Sequence, residues 1–261
     1  MRRVRPLAVL AASARLEWQM LVRQPLSMFA VWLVPLQTMG YLAIFRFNGR
    51  TDLDVYAVIA PAVIALWALA LMLSGEVIAS ERDNQSLEAI AAAPARLELV
   101  VIGRVAVITV ASWLALPLSA LTGWLFFGVP PLPAAPAVFA ITYVAMSLAT
   151  VATALLFAVF FVNSRSPRIF QNSLSYPFYV LGGVLVPVAL YPEWVQSLSR
   201  VVYLSWSADL LRDAAAGRGL EAWPWRIAVI LALGLVTYLA ARALLAATLR
   251  NARREGKLGL T

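Results

Sequence analysis

The residues that could take part in chemistry are concentrated in a charged segment, residues 76–104, which lies between two long apolar runs. Burying a charge in bilayer hydrocarbon costs several kcal/mol, so we expect this segment to lie in water between two membrane spans. The chain contains no histidine and no cysteine, which excludes imidazole and thiolate metal ligands, disulfides and the usual general base at neutral pH. It also lacks the Gly-x-x-x-x-Gly-Lys-Ser/Thr sequence that binds nucleotide phosphates. The sequence therefore predicts a chain that is not an enzyme and binds no cofactor itself.

A short helix is predicted inside this segment, from Asn84 to Ala93. Asp83 or Asn84 can accept hydrogen bonds from the free N–H groups of its first turn, and Pro94 ends it because proline lacks an N–H. A helix of two to three turns is marginal in water by itself. We therefore expect the ends of the neighbouring spans and a partner protein to hold it. The alternative is a solvated loop that contains one helical turn.

Glu76 is an acidic residue inside the end of a predicted span. It could act as a gate, or as a cation contact on a substrate path. The alternative is a carboxylate at the water interface that pairs with Arg82 or Arg104, because one helical turn rises only about 5 Å.

The elements that position these residues are membrane helices. Hydrophobic residues make up 62% of the 261 residues and charged residues 13%, whereas a soluble domain holds about 25% charged residues. A helix needs about 20 apolar residues to cross the hydrocarbon. The sequence therefore predicts an all-α polytopic membrane protein that forms a single domain, residues 1–261. The six predicted transmembrane helices lie at about residues 26–45, 55–78, 105–128, 137–162, 172–190 and 227–249.

The N-terminal residues 7–24 are predicted to form an amphipathic helix that lies in the membrane interface, because apolar residues recur at helical spacing along them. The alternative is a frayed, basic tail. The predicted apolar face consists of Leu7, Leu10, Ala14, Trp18 and Leu21.

Residues 191–226 are predicted to form short external or re-entrant helices between spans five and six. The segment contains four tryptophans, and tryptophan favours the headgroup level of a membrane. We expect these helices to pack against the fifth span, which is interrupted by the residues Pro177, Gly182, Gly183 and Pro187.

The basic residues predict the orientation of the chain. Of the 21 lysine and arginine residues, 15 fall in the two termini and in the loops on the same side as residues 76–104. The positive-inside rule therefore places both termini and the charged segment in the cytoplasm. The predicted location is the plasma (inner) membrane.

The charged segment resembles the first cytoplasmic loop of the membrane subunits of ABC-2 type transporters, the type V exporters. That loop reads E-R-E-x-G-T-L-E, with a proline several residues further on. This chain differs at Gln85, where the family has glycine, and at Ser86, which replaces threonine. The matching positions are Glu81, Arg82, Asp83, Leu87, Glu88 and Pro94.

The outer region resembles the same family. Its members have a serine- or glycine-rich fifth span, then proline, tryptophan and an Asp-x-x-Arg sequence before a turn that ends in glycine. The family's Asn-Pro is missing here, and Val202 and Tyr203 stand in its place. The matching residues are Gly182, Gly183, Pro187, Pro192, Glu193, Trp194, Asp209, Arg212 and Gly217.

The resemblance covers nearly the whole chain and implies the permease subunit of an ATP-driven exporter, similar to the daunorubicin-resistance permeases. It implies a second permease copy or a paralogous permease, and two cytoplasmic ABC ATPase subunits that bind ATP and Mg. Trp194, Asp209 and Arg212 would form an external site. The substrate would be a hydrophobic or amphipathic molecule: a drug-like natural product, a lipid or a lipid-linked glycan. The loop helix would be the coupling helix, and its ATPase contacts would be Glu81, Arg82, Asp83, Asn84, Gln85, Ser86, Leu87 and Glu88.

There are three alternatives, and two of them belong to other classes. A haem-exporter-like membrane subunit has a similar fold, but the missing histidines weigh against axial haem ligation. A secondary carrier that is not an ABC protein would carry ionisable groups inside its spans, and here only Glu76 and Arg242 come close. An intramembrane enzyme would need converging acids, nucleophiles or metal ligands, which the spans do not offer.

Overall fold

The computed structural model describes the backbone of residues 6–83, 97–162 and 167–254. It describes the side chains of the same ranges, except those of residues 73–83, 97, 161–162, 167–172, 249 and 251–254. The predicted coupling-helix residues Asn84, Gln85, Ser86, Leu87 and Glu88 lie outside the described residues.

The described residues form helices and no strands, as the all-α prediction requires. Short 3-10 segments at Pro25–Met28, Thr51–Leu53, Ser112–Leu114 and Val188–Leu190 connect several of the helices. The helices are α1 Pro6–Arg23, α2 Phe29–Trp32, α3 Val34–Phe47, α4 Asp54–Asp83, α5 Leu97–Ala111, α6 Ala115–Phe127, α7 Pro136–Val162, α8 Pro167–Leu181, α9 Glu193–Ser199, α10 Tyr203–Ala216 and α11 Trp223–Arg254.

Five helical segments within the described ranges are long and apolar enough to span a membrane. They match the predicted spans one, two, three, four and six, with ends that differ by a few residues. The segments are Pro25–Phe47, Thr51–Met72, Glu98–Phe127, Pro136–Phe160 and Trp223–Thr248. The chain is therefore a multi-pass membrane protein, as its composition predicts.

Helix α8 covers only part of the predicted fifth span, residues 172–190. It ends at Leu181, and its 15 residues reach only about 22 Å along the axis, compared with about 30 Å of hydrocarbon. The chain turns at Gly183, whose φ of 58° lies in the left-handed region that glycine adopts without steric cost. The apolar residues beyond this turn resemble a continuing span in the sequence, but the two glycines end the helix.

Helix α4 is longer than predicted. It runs from Asp54 to Asp83 without a break, because no proline or other helix-breaking sequence stands between residues 75 and 83. Glu81, Arg82 and Asp83 therefore belong to its last turn. The helix predicted to begin at Asn84 lies outside the described residues, so the predicted cap at Asp83 or Asn84 stays a prediction.

The core of the bundle forms around α4 and α7. The Trp67 ring of α4 is buried and stacks on the Phe178 ring of α8, with ring centroids 4.6 Å apart. Helix α10 packs into the same core through Leu204, Leu210 and Leu211, which are fully buried. Within residues 191–226, where the sequence predicts short helices, the structure has α9 and α10, and α10 is a buried part of the bundle.

Helix α1 presents two different faces. The residues buried against the protein are Val9, Ser13, Glu17 and Leu21, one every fourth position. The predicted apolar face is divided between these two sides. Its Leu21 is buried, Leu10 and Ala14 are half-buried, and Leu7 and Trp18 are 78% and 58% exposed. One part of the predicted face thus packs on the protein, and the other part lies on the open side of the helix.

Candidate functional site

Arg212 of α10 is the centre of a buried polar cluster at the junction of α10, α4 and the end of α8. We call Tyr56, Gly183, Val184, Asp209 and Arg212 the Arg212 cluster. The guanidinium donates through Nη1 to Oδ1 of Asp209 at 2.8 Å, and through Nη2 to the carbonyl oxygens of Gly183 and Val184, the latter at 3.1 Å. It also lies 4.2 Å from the centre of the Tyr56 ring, a cation–π geometry.

These contacts explain how a guanidinium is tolerated in this position. Only 5% of the Arg212 side chain is exposed, and a buried charge is costly unless it is paired and hydrogen-bonded. The last carbonyl groups of a helix have no partner within the helix, and a cation near this end is favoured by the helix dipole. Arg212 therefore binds carbonyl groups just beyond the point where α8 ends.

The Arg212 guanidinium and the Asp209 carboxyl have perturbed proton affinities. Burial lowers the pKa of the Arg212 guanidinium, and the nearby Asp209 carboxylate opposes this effect. Burial raises the pKa of the Asp209 carboxyl, although Arg212 and Arg226 act in the other direction. The Asp209 side chain is still 42% exposed, so solvent reaches the carboxylate on one side.

Further contacts hold α10 in place on this side of the bundle. Arg226 of α11 donates to Oδ2 of Asp213 at 2.5 Å. The loop before α7 donates from the backbone N–H groups of Ala134 and Ala135 to carbonyl groups near the end of α10, at 3.1 and 2.9 Å. The helices α7, α10 and α11 are thus connected at the same end of the bundle.

Trp194 is not part of the Arg212 cluster. It lies on α9, and 72% of its surface is exposed, whereas Arg212 is buried. Of the three residues predicted for the external site, the structure brings Asp209 and Arg212 together and leaves Trp194 on the surface.

A second polar cluster lies at the other end of the bundle, where α1 packs on α5. Arg104 donates through Nε to Oε2 of Glu17 at 2.6 Å, and both side chains are nearly inaccessible, with 6% and 5% exposed. The helices approach closely at Gly103, where an added Cβ would lie 2.9 Å from the Leu10 carbonyl oxygen. The small glycine therefore allows α1 to dock, and the ion pair fixes it there.

An ion pair also connects α5 to α11. Oε2 of Glu98 in the first turn of α5 lies 3.2 Å from Nε of Arg242. Glu98 is at the N-terminal end of its helix, where the helix dipole favours an acid. We refer to Glu17–Arg104 and Glu98–Arg242 as the α5 ion pairs. They connect the beginning of α5, which directly follows residues 84–96, to both terminal helices.

The sequence alone does not predict the α5 ion pairs. In one of its two alternatives Glu76 pairs with Arg82 or Arg104, and the side chains of Glu76 and Arg82 lie outside the described residues. For Arg242 it predicts no partner. The adjacent Gly103 and Arg104 at the start of an apolar run were an available signal for a closely docked helix.

Long apolar helices with ion-paired charges near their ends define the protein as a polytopic α-helical membrane protein. The family model for the ABC-2 type transporter matches residues 9–215, from α1 to α10. The chain belongs to the ABC-2 type transporter family, which confirms the resemblance seen in the sequence. No protein of curated function matches the chain. The protein is therefore a permease subunit of an ABC exporter, and its family implies association with ABC ATPases.

Proposed function

We propose that this permease moves a hydrophobic or amphipathic molecule out of the cytoplasm, with a drug-like natural product, a lipid or a lipid-linked glycan as the substrate class. The family match carries the proposal. The character of the spans supports the substrate class, because the charged residues of the five candidate spans lie within the first or last two turns of each helix. The path between them is therefore suited to a solute that is largely apolar.

Two cytoplasmic ATPase subunits would supply the energy by binding ATP and Mg, and they would contact this chain at Glu81, Arg82, Asp83 and the residues 84–88. The length of α4 supports this position. The helix begins at Asp54, and Glu81 follows 27 residues later, about 40 Å along the axis, compared with about 30 Å of hydrocarbon. The last turn of α4 would therefore stand beyond the hydrocarbon, where a soluble partner can reach it.

The α5 ion pairs suggest how a movement at this contact would reach the membrane. Residues 84–96 connect α4 to α5, so a displacement of the loop acts first on the beginning of α5. Because Arg104 and Glu98 hold α1 and α11 at 2.6 and 3.2 Å, these two helices would move with α5. At the opposite end, the Arg212 cluster would have to loosen or shift as a unit when the permease opens outward.

The positions of the two terminal helices support a sixth membrane crossing, with both termini on one side of the membrane. The Glu98–Arg242 and Glu17–Arg104 contacts bring the start of α5, the helix α1 and the C-terminal part of α11 to the same end of the bundle. A chain whose two ends are on one side crosses the membrane an even number of times. Since five candidate spans are found among the described residues, α8 with the turn that follows it would provide the sixth crossing. The positive-inside rule then favours the cytoplasm for both termini.

Charge reversal tests the ATPase contact. We expect Glu81→Lys and Glu88→Lys each to reduce ATP-dependent transport at least about tenfold, which corresponds to about 1.4 kcal/mol, while ATP hydrolysis continues without transport. Glu193→Lys, at an exposed position on α9, is the matched control and should transport normally. Normal coupling and normal co-purification of the ATPase in both loop variants would contradict the proposed contact.

Glu76 is a separate question, because the residue lies in α4 but its side chain is not described. We propose that it is an interfacial carboxylate and not a gate. Glu76→Gln should then leave transport and its pH dependence unchanged, and a loss of either in a transport assay would favour the gate.

A further inference from the structure

A groove runs between α7 and α11 on the outside of the bundle. Its volume is about 240 Å³. The two helices approach closely at its floor, because an added Cβ on Gly234 would lie 3.0 Å from the Cα of Ala149. The groove is lined by Ile102, Leu148, Ala149, Val151, Ala152, Leu231, Gly234, Leu235 and Tyr238. These residues all lie in candidate membrane spans, so the medium outside the groove is bilayer hydrocarbon.

The groove lies mainly in one half of the membrane. Trp223 and Trp225 at the start of α11 favour the headgroup level on one side of the membrane. Arg242 follows 19 residues after Trp223, about 28 Å along the helix, which is the opposite edge of a hydrocarbon core of about 30 Å. The lining on α11 runs from Leu231 to Tyr238, a rise of about 10 Å, and Arg242 lies about 6 Å further toward that edge.

Arg242 stands one turn beyond Tyr238, at the end of the groove that reaches the headgroups. The guanidinium lies 5.9 Å from the Tyr238 ring centre, and its Nε faces Glu98 at 3.2 Å. The side chain is nevertheless 47% exposed. Because a guanidinium has five N–H donors, its exposed edge can bind a second anion while Nε remains directed at Glu98.

We propose that this groove is a binding site for an anionic phospholipid, with one acyl chain between α7 and α11 and the phosphate group on Arg242. The lining matches a hydrocarbon chain, and the guanidinium matches a phosphate oxygen pair. The proposal requires only that the helices cross a bilayer, so it does not depend on the ATPase contact or on the exported substrate.

Native mass spectrometry of the detergent-purified protein, titrated with phosphatidylglycerol or with phosphatidylcholine, tests the headgroup contact. We expect tighter binding of phosphatidylglycerol to the wild type, and a loss of about fivefold in Arg242→Gln, the factor that one arginine contributes near an anionic surface. Arg250→Gln, at an exposed position two turns further along α11, is the matched control and should bind like the wild type. Equal binding of both lipids, or an equal loss in both variants, would overturn the proposal.

A second pair of variants tests the groove without changing any charge. Leu235→Trp places a larger side chain in the groove, whereas Val236→Trp makes the same change at a position that is 64% exposed and outside the lining. Only Leu235→Trp should weaken the binding of phosphatidylglycerol, and equal binding by the two variants would reject the acyl-chain site. Since the chain has no cysteine, Leu235→Cys provides a single thiol for cross-linking in membranes. Efficient disulfide dimers would assign this face to a second copy and overturn the lipid site.

Discussion

Replacing Arg212 with methionine should destabilise the protein strongly, although the position is far from the predicted ATPase contact. Methionine fills most of the volume but donates no hydrogen bond. The carbonyl groups of Gly183 and Val184 would then lose their donor in a buried place, and each unsatisfied group costs about 1–3 kcal/mol. The loss of the cation–π contact with Tyr56 adds up to about 1–2 kcal/mol. The expected total is about 3–8 kcal/mol.

The partner of Arg212 should matter much less. The Asp209 side chain is 42% exposed, and an ion pair with one solvated member is worth less than about 1 kcal/mol. We therefore expect Asp209→Asn to be nearly as stable as the wild type. The structure thus predicts an asymmetry, in which the backbone carbonyls and not the carboxylate are the important partners of the guanidinium.

Thermal unfolding of the purified protein in mild detergent measures both variants. A change of 1 kcal/mol corresponds to a shift of about 2–4 °C for a chain of this size, so Arg212→Met should lower the Tm by about 6 °C or more. Arg218→Met, at an exposed position beyond the end of α10, is the matched control and should change the Tm by about 1 °C at most. If Arg212→Met were as stable as Arg218→Met, or less harmful than Asp209→Asn, the assignment of Arg212 as the group that binds the end of α8 would be wrong.

Three further predictions concern the docking of α1 and the titration of Asp209 in the Arg212 cluster. Gly103→Leu should release α1 and increase the hydrogen exchange of its backbone amides, because the new side chain would meet the Leu10 backbone. Gly40 has open space around it, so Gly40→Leu is the control and should leave α1 protected. Glu17→Gln and Arg104→Gln should each lower the free energy of unfolding by about 3 kcal/mol or more, because each change leaves a buried charge without this partner. The double variant should lose clearly less than the sum of the two. Additive Tm shifts would contradict the ion pair. Burial raises the pKa of Asp209 above its ordinary value of 3.8, so the folded protein binds this proton more tightly than the unfolded chain does. The stabilisation that the bound proton gives to the folded state is therefore present at low pH and is lost as the pH rises through the raised pKa. Asp209→Asn should flatten the Tm profile above about pH 4, and Glu193→Gln, at an exposed acid, should not.

The membrane helices could be predicted from the sequence because hydropathy acts over long stretches. An uncharged run of twenty residues has few alternatives to a membrane span, and five of the six predicted spans match helices that are long and apolar enough. The end of α8 could not be placed in the same way. Gly182, Gly183 and Pro187 mark an interruption in the sequence, but residues 184–190 are otherwise as apolar as a span. The backbone turn at Gly183 places the end of the helix at Leu181.

The sequence indicated some of the polar residues that matter, but not the groups that these residues contact. The resemblance pointed to Asp209 and Arg212, and these two do pair. However, the principal partners of Arg212 are backbone carbonyls, which every residue possesses and which no residue pattern can reveal. Glu17 and Arg104 are 87 positions apart, and neither repeats at a spacing that would suggest a contact. Their pairing follows from how the helices pack, which hydropathy alone does not determine.

The distance along the chain between Glu17 and Arg104 also has a consequence for biosynthesis. A ribosome adds about 5–20 residues per second, so Arg104 emerges about 4–17 s after Glu17. During this time, while the first two spans are inserted, the Glu17 carboxylate of α1 has not yet met its partner and is expected to stay in water. The interval between the synthesis of Glu98 and that of Arg242 is longer still. The bundle is therefore closed from its N-terminal helix to its C-terminal helix in the order of translation, and a chain truncated before the third span would leave α1 without its docking site.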